Sequence, residues 1–406
     1  MKRRGLTVKE WRVRHEQRVV LALAASQALF QTSSVLLMTV GGLAGAVLAP
    51  APVMATLPIA TIALGTAIAT IPAAFLMGRL GRKPGFILGA ALGMSGGLLA
   101  GFAMLTGSFA LLCLGTALVG AYQGFAQFYR FAAAEAASEA FRSRAISLVL
   151  TGGIVAALAG PHLGALTRDA LPAPYSGSFF VVAVLGLLAI PVIAATRLPG
   201  AATAVAGGEP ARPFAAIARQ PRFIAAVAGA AVGYGVMVTV MTATPLSMVE
   251  HHHQVSTAAT VIQWHALGMF APSFFTGWLI RKFGVTPLML LGVGLLLAHV
   301  LITLSGVAFL HYVSALILLG LGWNLLYVGG STLLTETYRP SERAKVQAFN
   351  DFMIVGVVAA GSFSAGALNE AIGWRGLNLS VLPFLAAAAA IITFAQARPR
   401  TSRAVA

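Results

Sequence analysis

Residues 73–85 read AAFLMGRLGRKPG. An apolar run ends there, three cations (Arg79, Arg82 and Lys83) follow around Gly81, and a second apolar run begins at once. The flanking runs, 51–77 and 85–105, each reach the ~20 residues that an α-helix needs to cross a hydrocarbon core. The stretch therefore reads as a basic turn between two membrane helices. Residues 276–287, TGWLIRKFGVTP, repeat it in outline: a small residue, a leucine two further on, cations, then a glycine turn. A second pair follows in the same order, EAFRSRAISLVLTGG at 139–153 and YRPSERAKVQAFNDF at 338–352. Matched signals in matched order point to two parallel structural repeats.

Composition supports lipid as the main solvent. Of 406 residues, 58% are hydrophobic and 9% charged, and the mean hydropathy is +0.86. Soluble domains carry about 25% charged residues. The 44 glycines lie within apolar runs, where small residues let helices approach. The net charge of +16 comes from short clusters between those runs, with no basic-aromatic module, so it does not signal nucleic acid. The single Cys113 forms no internal disulfide. The basic first twenty residues lead into a long apolar run without a signal-peptidase site, which fits a retained first helix.

Twelve spans are expected: 19–43, 51–77, 85–105, 109–133, 145–167, 176–196, 223–247, 258–280, 287–306, 310–335, 345–368 and 375–396. With that count, the seven Lys and Arg of residues 1–18 fall on one side. So do Arg79, Arg82, Lys83, Arg142, Arg144, Arg197, Arg212, Arg219, Arg222, Arg281, Lys282, Arg339, Arg343, Lys345, Arg398, Arg400 and Arg403. The opposite loops hold only Arg168 and Arg375. The positive-inside rule then places both termini in the cytoplasm, and a missed span would scramble the alternation. The expected organisation is a basic N-terminus (1–18), a six-helix bundle (19–196), a cytoplasmic linker (197–222), a second six-helix bundle (223–396) and a tail (397–406). The linker, rich in Pro, Gly, Ala and Arg, contains a Phe-bearing stretch read as a short interfacial helix. The fold class is all-α integral membrane protein, with twelve transmembrane helices in two pseudo-symmetric six-helix bundles.

The stretch at 73–85 resembles the loop between spans 2 and 3 that is the signature of the major facilitator superfamily. Arg79, Gly81, Arg82 and Lys83 match. Ala74 stands where a glycine is usual, and Gly78 where an aspartate is usual. GGIVAALAGPHLG at 152–164 resembles the family's glycine-proline motif associated with antiporters, through Gly153, Gly160, Pro161 and Gly164. The resemblance implies a secondary transporter of bacterial type in the inner membrane. It also implies gating by the cationic turns, through pairing of Arg79, Arg82 and Lys83 with Glu135, Glu139, Glu336 or Glu342. Arg281 and Lys282 would play that part in the second repeat. Helix-end cations also serve topology and the helix dipole without any gate.

Polar groups inside the spans are the candidate path. Gln123, Gln127 and Arg130 share one helix face at spacings of four and three. Asp351, beside Asn350, is the natural counter-charge, able to take up or release a proton as its hydration changes. Gln27 and Gln31 share a face of span 1. Span 7 adds Tyr234, span 8 Gln263, Trp264 and His265, and span 10 Trp323, Asn324 and Tyr327. The family resemblance makes spans 1, 4, 7 and 10 path-lining. Amides and aromatics together suit stacking and hydrogen bonding to an organic solute, although each alone also serves helix packing. His162 could titrate, and His251–His253 read as a solvated loop.

Alternating-access transport of a small organic solute is thus the leading function, with proton-coupled efflux first and uptake of a metabolite or vitamin by symport or uniport second. A nontransporting receptor or scaffold is the remaining alternative. No nucleotide-binding loop, metal pattern or catalytic constellation is present, so no cofactor beyond a coupling proton is expected. The partners are the bilayer and the solute, and a monomer suffices.

Overall fold

The computed structural model describes residues 8–51, 54–55, 57–198 and 210–397. Positions 1–7, linker residues 199–209 and the tail cations Arg398, Arg400 and Arg403 lie outside the described residues. Every regular element among the described residues is helical. Packing divides the chain into two units, Met1–Glu209 with Arg343–Val355, and Pro210–Glu342 with Gly356–Ala406.

The first unit holds α1 (Val8–Leu48), α2 (Leu57–Leu80), α3 (Arg82–Thr106), α4 (Phe109–Ala126), α5 (Tyr129–Ala136), α6 (Arg142–Leu150), α7 (Gly152–Thr167) and α8 (Ser176–Ala195). The second holds α9 (Phe214–Ala218), α10 (Pro221–Glu250), α11 (Val255–Phe270), α12 (Ser273–Phe283), α13 (Val285–Ser305), α14 (Phe309–Leu334), α16 (Leu382–Ala397) and most of α15 (Arg343–Ser380). The Phe-bearing linker stretch forms the short α9. Ten described helical segments are long and apolar enough to cross a membrane. The last of them, Pro340–Ala397, is divided by Gly373 at φ 68° and ψ 174°. Near 258–280 two shorter helices, α11 and α12, flank Ala271–Pro272.

Within each unit the helices pair alike. In the first, α2 and α3 pack on α4, and α8 packs on α3 and α1; in the second, α11 and α13 pack on α14, and α16 packs on α13 and α10. The repeated turns agree in backbone as well as sequence. Gly81 (φ 94°, ψ 166°) opens α3, and Gly284 (φ 91°, ψ 157°) opens α13. That region is accessible essentially to glycine alone.

Lipid gives little hydrophobic drive between helices, so close backbone packing carries the association. A Cβ at Gly120 of α4 would lie 2.1 Å from Ile62 O of α2, and one at Gly65 of α2 would lie 2.1 Å from Ala117 O of α4. The resulting core of the first unit joins Leu36, Leu37 and Val40 of α1 to Ile62, Ala100, Leu112, Val119, Phe179 and Val182. The α3–α4 hairpin turns on left-handed Gly107 and on Ser108, whose Oγ accepts from Leu111 N (3.4 Å).

Candidate functional site

In the first unit, the fourth span is interrupted at Gln127–Phe128, between α4 and α5. Arg130 follows the break. Its Nη1 donates to Gln127 O (2.7 Å) and Gln127 Oε1 (3.2 Å), its guanidinium lies 4.4 Å from the centre of the Phe131 ring, and its Nη2 pairs with Asp351 Oδ1. Arg130 and Asp351 are both about 2% exposed. Asn350 donates to the same Asp351 oxygen (2.9 Å). Asp351 Oδ2 and Asn350 Oδ1 are buried without a hydrogen-bond partner among the described residues, which leaves two acceptors on consecutive residues. Tyr122 and Tyr129 have their hydroxyls 3.5 Å apart, and Gln123 is half-buried. On α1, Gln27 donates to Gln31 (3.2 Å).

A second charge cluster follows on α5. Buried Arg82 grips both Glu135 oxygens, through Nε (3.1 Å) and Nη2 (2.6 Å). Arg343 donates to Glu135 (3.3 Å), as does Gln347 (3.3 Å), and Arg82 also reaches Gln347 Oε1 (2.5 Å). Planar two-point pairing of this kind is the strong form of an ion pair. The partnership of Arg82 with Glu135 is among those expected from sequence, whereas Arg343 and Gln347 were not singled out as site residues. A signal for Arg343 exists: Glu135 and Arg142 are seven apart, and so are Glu336 and Arg343 in the second repeat. Gly78, standing where the family usually has aspartate, faces α15 so closely that a Cβ would lie 3.2 Å from that of Ala344. Arg79 is exposed and Lys83 half-buried.

The glycine-proline motif forms a continuous helix, α7, with Pro161 exposed and Gly153, Gly160 and Gly164 buried. Gly160 and Gly164 face α1: a Cβ at Gly160 would lie 2.6 Å from Val35, and one at Gly164 3.3 Å from Val40. His162 is exposed and bonds to Leu158 O.

In the second unit, four rings meet. Trp323 stacks on Tyr327 (centroids 5.0 Å, 18° between planes), Tyr234 closes edge-on against both (5.3 Å each), and Phe270 meets Trp323 edge-on (5.7 Å). Trp323 Nε1 is buried and without a partner among the described residues. Asn324 is fully buried and bonded to Met269, Ser273 and Thr276. His265 is fully buried and donates Nδ1–H to Leu316 O (2.8 Å), while Gln263 and Trp264 beside it are exposed. Arg281 and Lys282 are exposed, the latter's ammonium 5.0 Å from the Trp278 ring. Glu336 pairs with Arg222 (2.5 Å). Glu342 accepts from Arg212 N (2.8 Å), Nε (2.8 Å) and Nη2 (2.6 Å), and from Arg339 N (2.9 Å). No group of three or more His, Cys, Asp or Glu could hold a metal among the described residues.

The family model described as Major Facilitator Superfamily matches residues 20–323 and 227–406. The chain belongs to the major facilitator superfamily. It is accordingly a multi-pass integral membrane protein and a transporter of a small solute. Among major facilitator relatives, the riboflavin transporter RfnT of Brucella anthropi is 44% identical over 372 residues, covering 91% of this chain and 94% of that protein. The uncharacterized MFS-type transporter YddS of Bacillus subtilis is 30% identical over 348 residues, covering 81% and 79%. In structure the chain resembles the transporter FucP crystallised in its outward conformation (TM-score 0.78, 18% identity, 93% of this chain and 98% of that one). It also resembles the human organic anion transporter MFSD10 (TM-score 0.74, 14% identity, 93% and 99%). At those identities the structural likeness concerns the fold.

Proposed function

We infer that this transporter takes up riboflavin, or a flavin close to it, across the cytoplasmic membrane by alternating access. The observation that carries the reading is the 44% identity to a riboflavin transporter along nearly the full length of both chains. The ring cluster of Tyr234, Trp323, Tyr327 and Phe270 supports it, because aromatic side chains bind planar heteroaromatic solutes by offset and edge-on contact. The unpartnered Trp323 Nε1 would suit an in-plane carbonyl or ring nitrogen. This reading favours vitamin uptake over proton-coupled efflux. Proton coupling through Asp351 is part of the proposal, since a buried carboxyl between hydrated and desolvated states changes its proton affinity.

The test is flavin fluorescence inside proteoliposomes, with internal pH recorded in parallel. Saturable riboflavin entry, competed by non-fluorescent flavin analogues, is expected. Entry that also acidifies the lumen would establish symport with a proton. No flavin entry in vesicles that retain folded protein would sink the reading and return efflux of other organic solutes to first place.

A further inference from the structure

The geometry assigns Asn324 as a positioning residue that pins the interruption between α11 and α12 and so holds Phe270 against Trp323, without itself touching the transported solute. The assignment builds on the reading of the ring cluster as the solute-stacking surface.

The interruption has a local cause. Pro272 has no N–H to give to the carbonyl four residues earlier, Gly268 O, and helical pairing resumes with Phe274 N on Ala271 O (3.3 Å), then Phe275 N (2.9 Å) and Thr276 N (2.8 Å) on Pro272 O. Freed polar backbone is costly in apolar surroundings and needs a substitute partner. Asn324, on α14, binds the break from both sides, next to the Gly268 carbonyl that Pro272 leaves without its donor. Its Nδ2 donates to Met269 O (2.7 Å) on one side of the break and to Ser273 Oγ (2.6 Å) on the other. Its Oδ1 accepts from Thr276 Oγ1 (2.7 Å), whose proton is shared with Pro272 O (2.8 Å). Both amide protons are thus in use and the side chain is fully buried. An acceptor on a solute could bond to its amide nitrogen only by taking one of those protons away.

Neighbouring contacts make the pin consequential. Just before the break, α11 lies backbone against backbone on α14. A Cβ at Gly320 would be 2.7 Å from both His265 O and Met269 N, and one at Gly268 would be 2.9 Å from Ile317 O. Phe270 is the last residue of α11, and its ring meets Trp323, the residue beside Asn324. Trp323 of the ring cluster and the pin therefore occupy consecutive positions of α14. A planar solute that displaces Trp323 or Phe270 works directly on the angle between α11 and α12.

The experiment measures that angle and turnover separately. In a Cys113→Ser background, spin labels at Thr260 and Phe283, roughly 35 Å apart for a straight helix, report the α11–α12 geometry by pulsed dipolar spectroscopy, with no solute present. A single narrow distance is expected, broadened in Asn324→Ala and broadened less in Thr276→Val, which removes one of the three bonds that Asn324 makes together with the hydroxyl's own bond to Pro272 O. In transport assays Asn324→Ala should lower kcat about tenfold, a loss confined to the conformational step, while KM and the ranking of flavin analogues hold. An unchanged distance distribution in Asn324→Ala overturns the assignment. So does a raised KM with altered analogue ranking at unchanged kcat, the signature of direct solute contact. Should Asn324→Ala fail to fold, Thr276→Val decides by the same two readouts. Should the unmutated protein move no flavin, the proposed substrate falls, and the label distances alone judge the pin.

Discussion

Arg130 and Asp351 are a buried pair of charges, each about 2% exposed, and what happens on removing one is set by the other. Breaking a buried pair from one side strands an uncompensated charge, at a cost of about 3–5 kcal/mol, whereas replacing both by apolar groups is often near neutral. Asp351→Ala and Arg130→Ala are each expected to lower the detergent melting temperature sharply. The double change Arg130→Met with Asp351→Leu should recover most of it and still abolish uptake. Recovery of uptake with stability would reduce the pair to packing. Arg82 poses a different question, because it holds Glu135 with two nitrogens at once. Lysine keeps the charge and loses the fork, so Arg82→Lys should forfeit about one charge-assisted hydrogen bond, ~1.5–3 kcal/mol, seen as lower thermal stability and slower uptake. Both pairs were within reach of the sequence: single charges in apolar runs such as Arg130 and Asp351 have few possible partners, and the family resemblance implied an acidic partner such as Glu135 for Arg82. Asn324 was not. An amide in an apolar helix looks the same whether it faces a solute or the backbone of another helix, and its partners lie 48 to 55 residues away.

Among the elements, the apolar runs announced the spans, but not where a span is interrupted. Prolines 72, 161, 191 and 245 all sit inside uninterrupted helices, so Pro272 alone could not foretell the gap between α11 and α12. The break lies where a side chain on α14 can bond to both sides of it, and that is a tertiary fact. Glycine has a similar ambiguity in sequence, resolved only by what stands opposite it. At Gly120 an added methyl would meet the Ile62 carbonyl at 2.1 Å, while at Gly366 it would meet nothing within 4 Å. Gly120→Ala should force α2 and α4 apart at a cost of about 1–3 kcal/mol. Gly366→Ala should be neutral or stabilising by under about 1 kcal/mol. Thermal unfolding in detergent compares the two; equal effects would mean that helix propensity, and not helix approach, sets the glycine content of this chain.

For the whole molecule the question is parity. Arg212 bonds to Glu342 and Arg222 to Glu336, so the linker end before α10 and the loop after α14 lie on the same side of the membrane. An even number of crossings must separate them. Helices α10, α13 and α14 supply three, and Val255–Phe283 must supply the fourth despite its interruption. From that parity and the division of the last segment at Gly373, we propose twelve crossings, the number expected from the distribution of cations. It also fixes what reporter fusions should read. Alkaline phosphatase joined after His252 or Val307 should be active, and after Ala406 inactive, with green fluorescent protein giving the reverse pattern. If Val255–Phe283 instead entered and left on one side, the His252 fusion would be unchanged, while the Val307 and Ala406 fusions would both invert. Arg339, Arg343 and Lys345 would then lie outside, against the rule that cations stay in the cytoplasm, and the two ion pairs could not form with the linker inside.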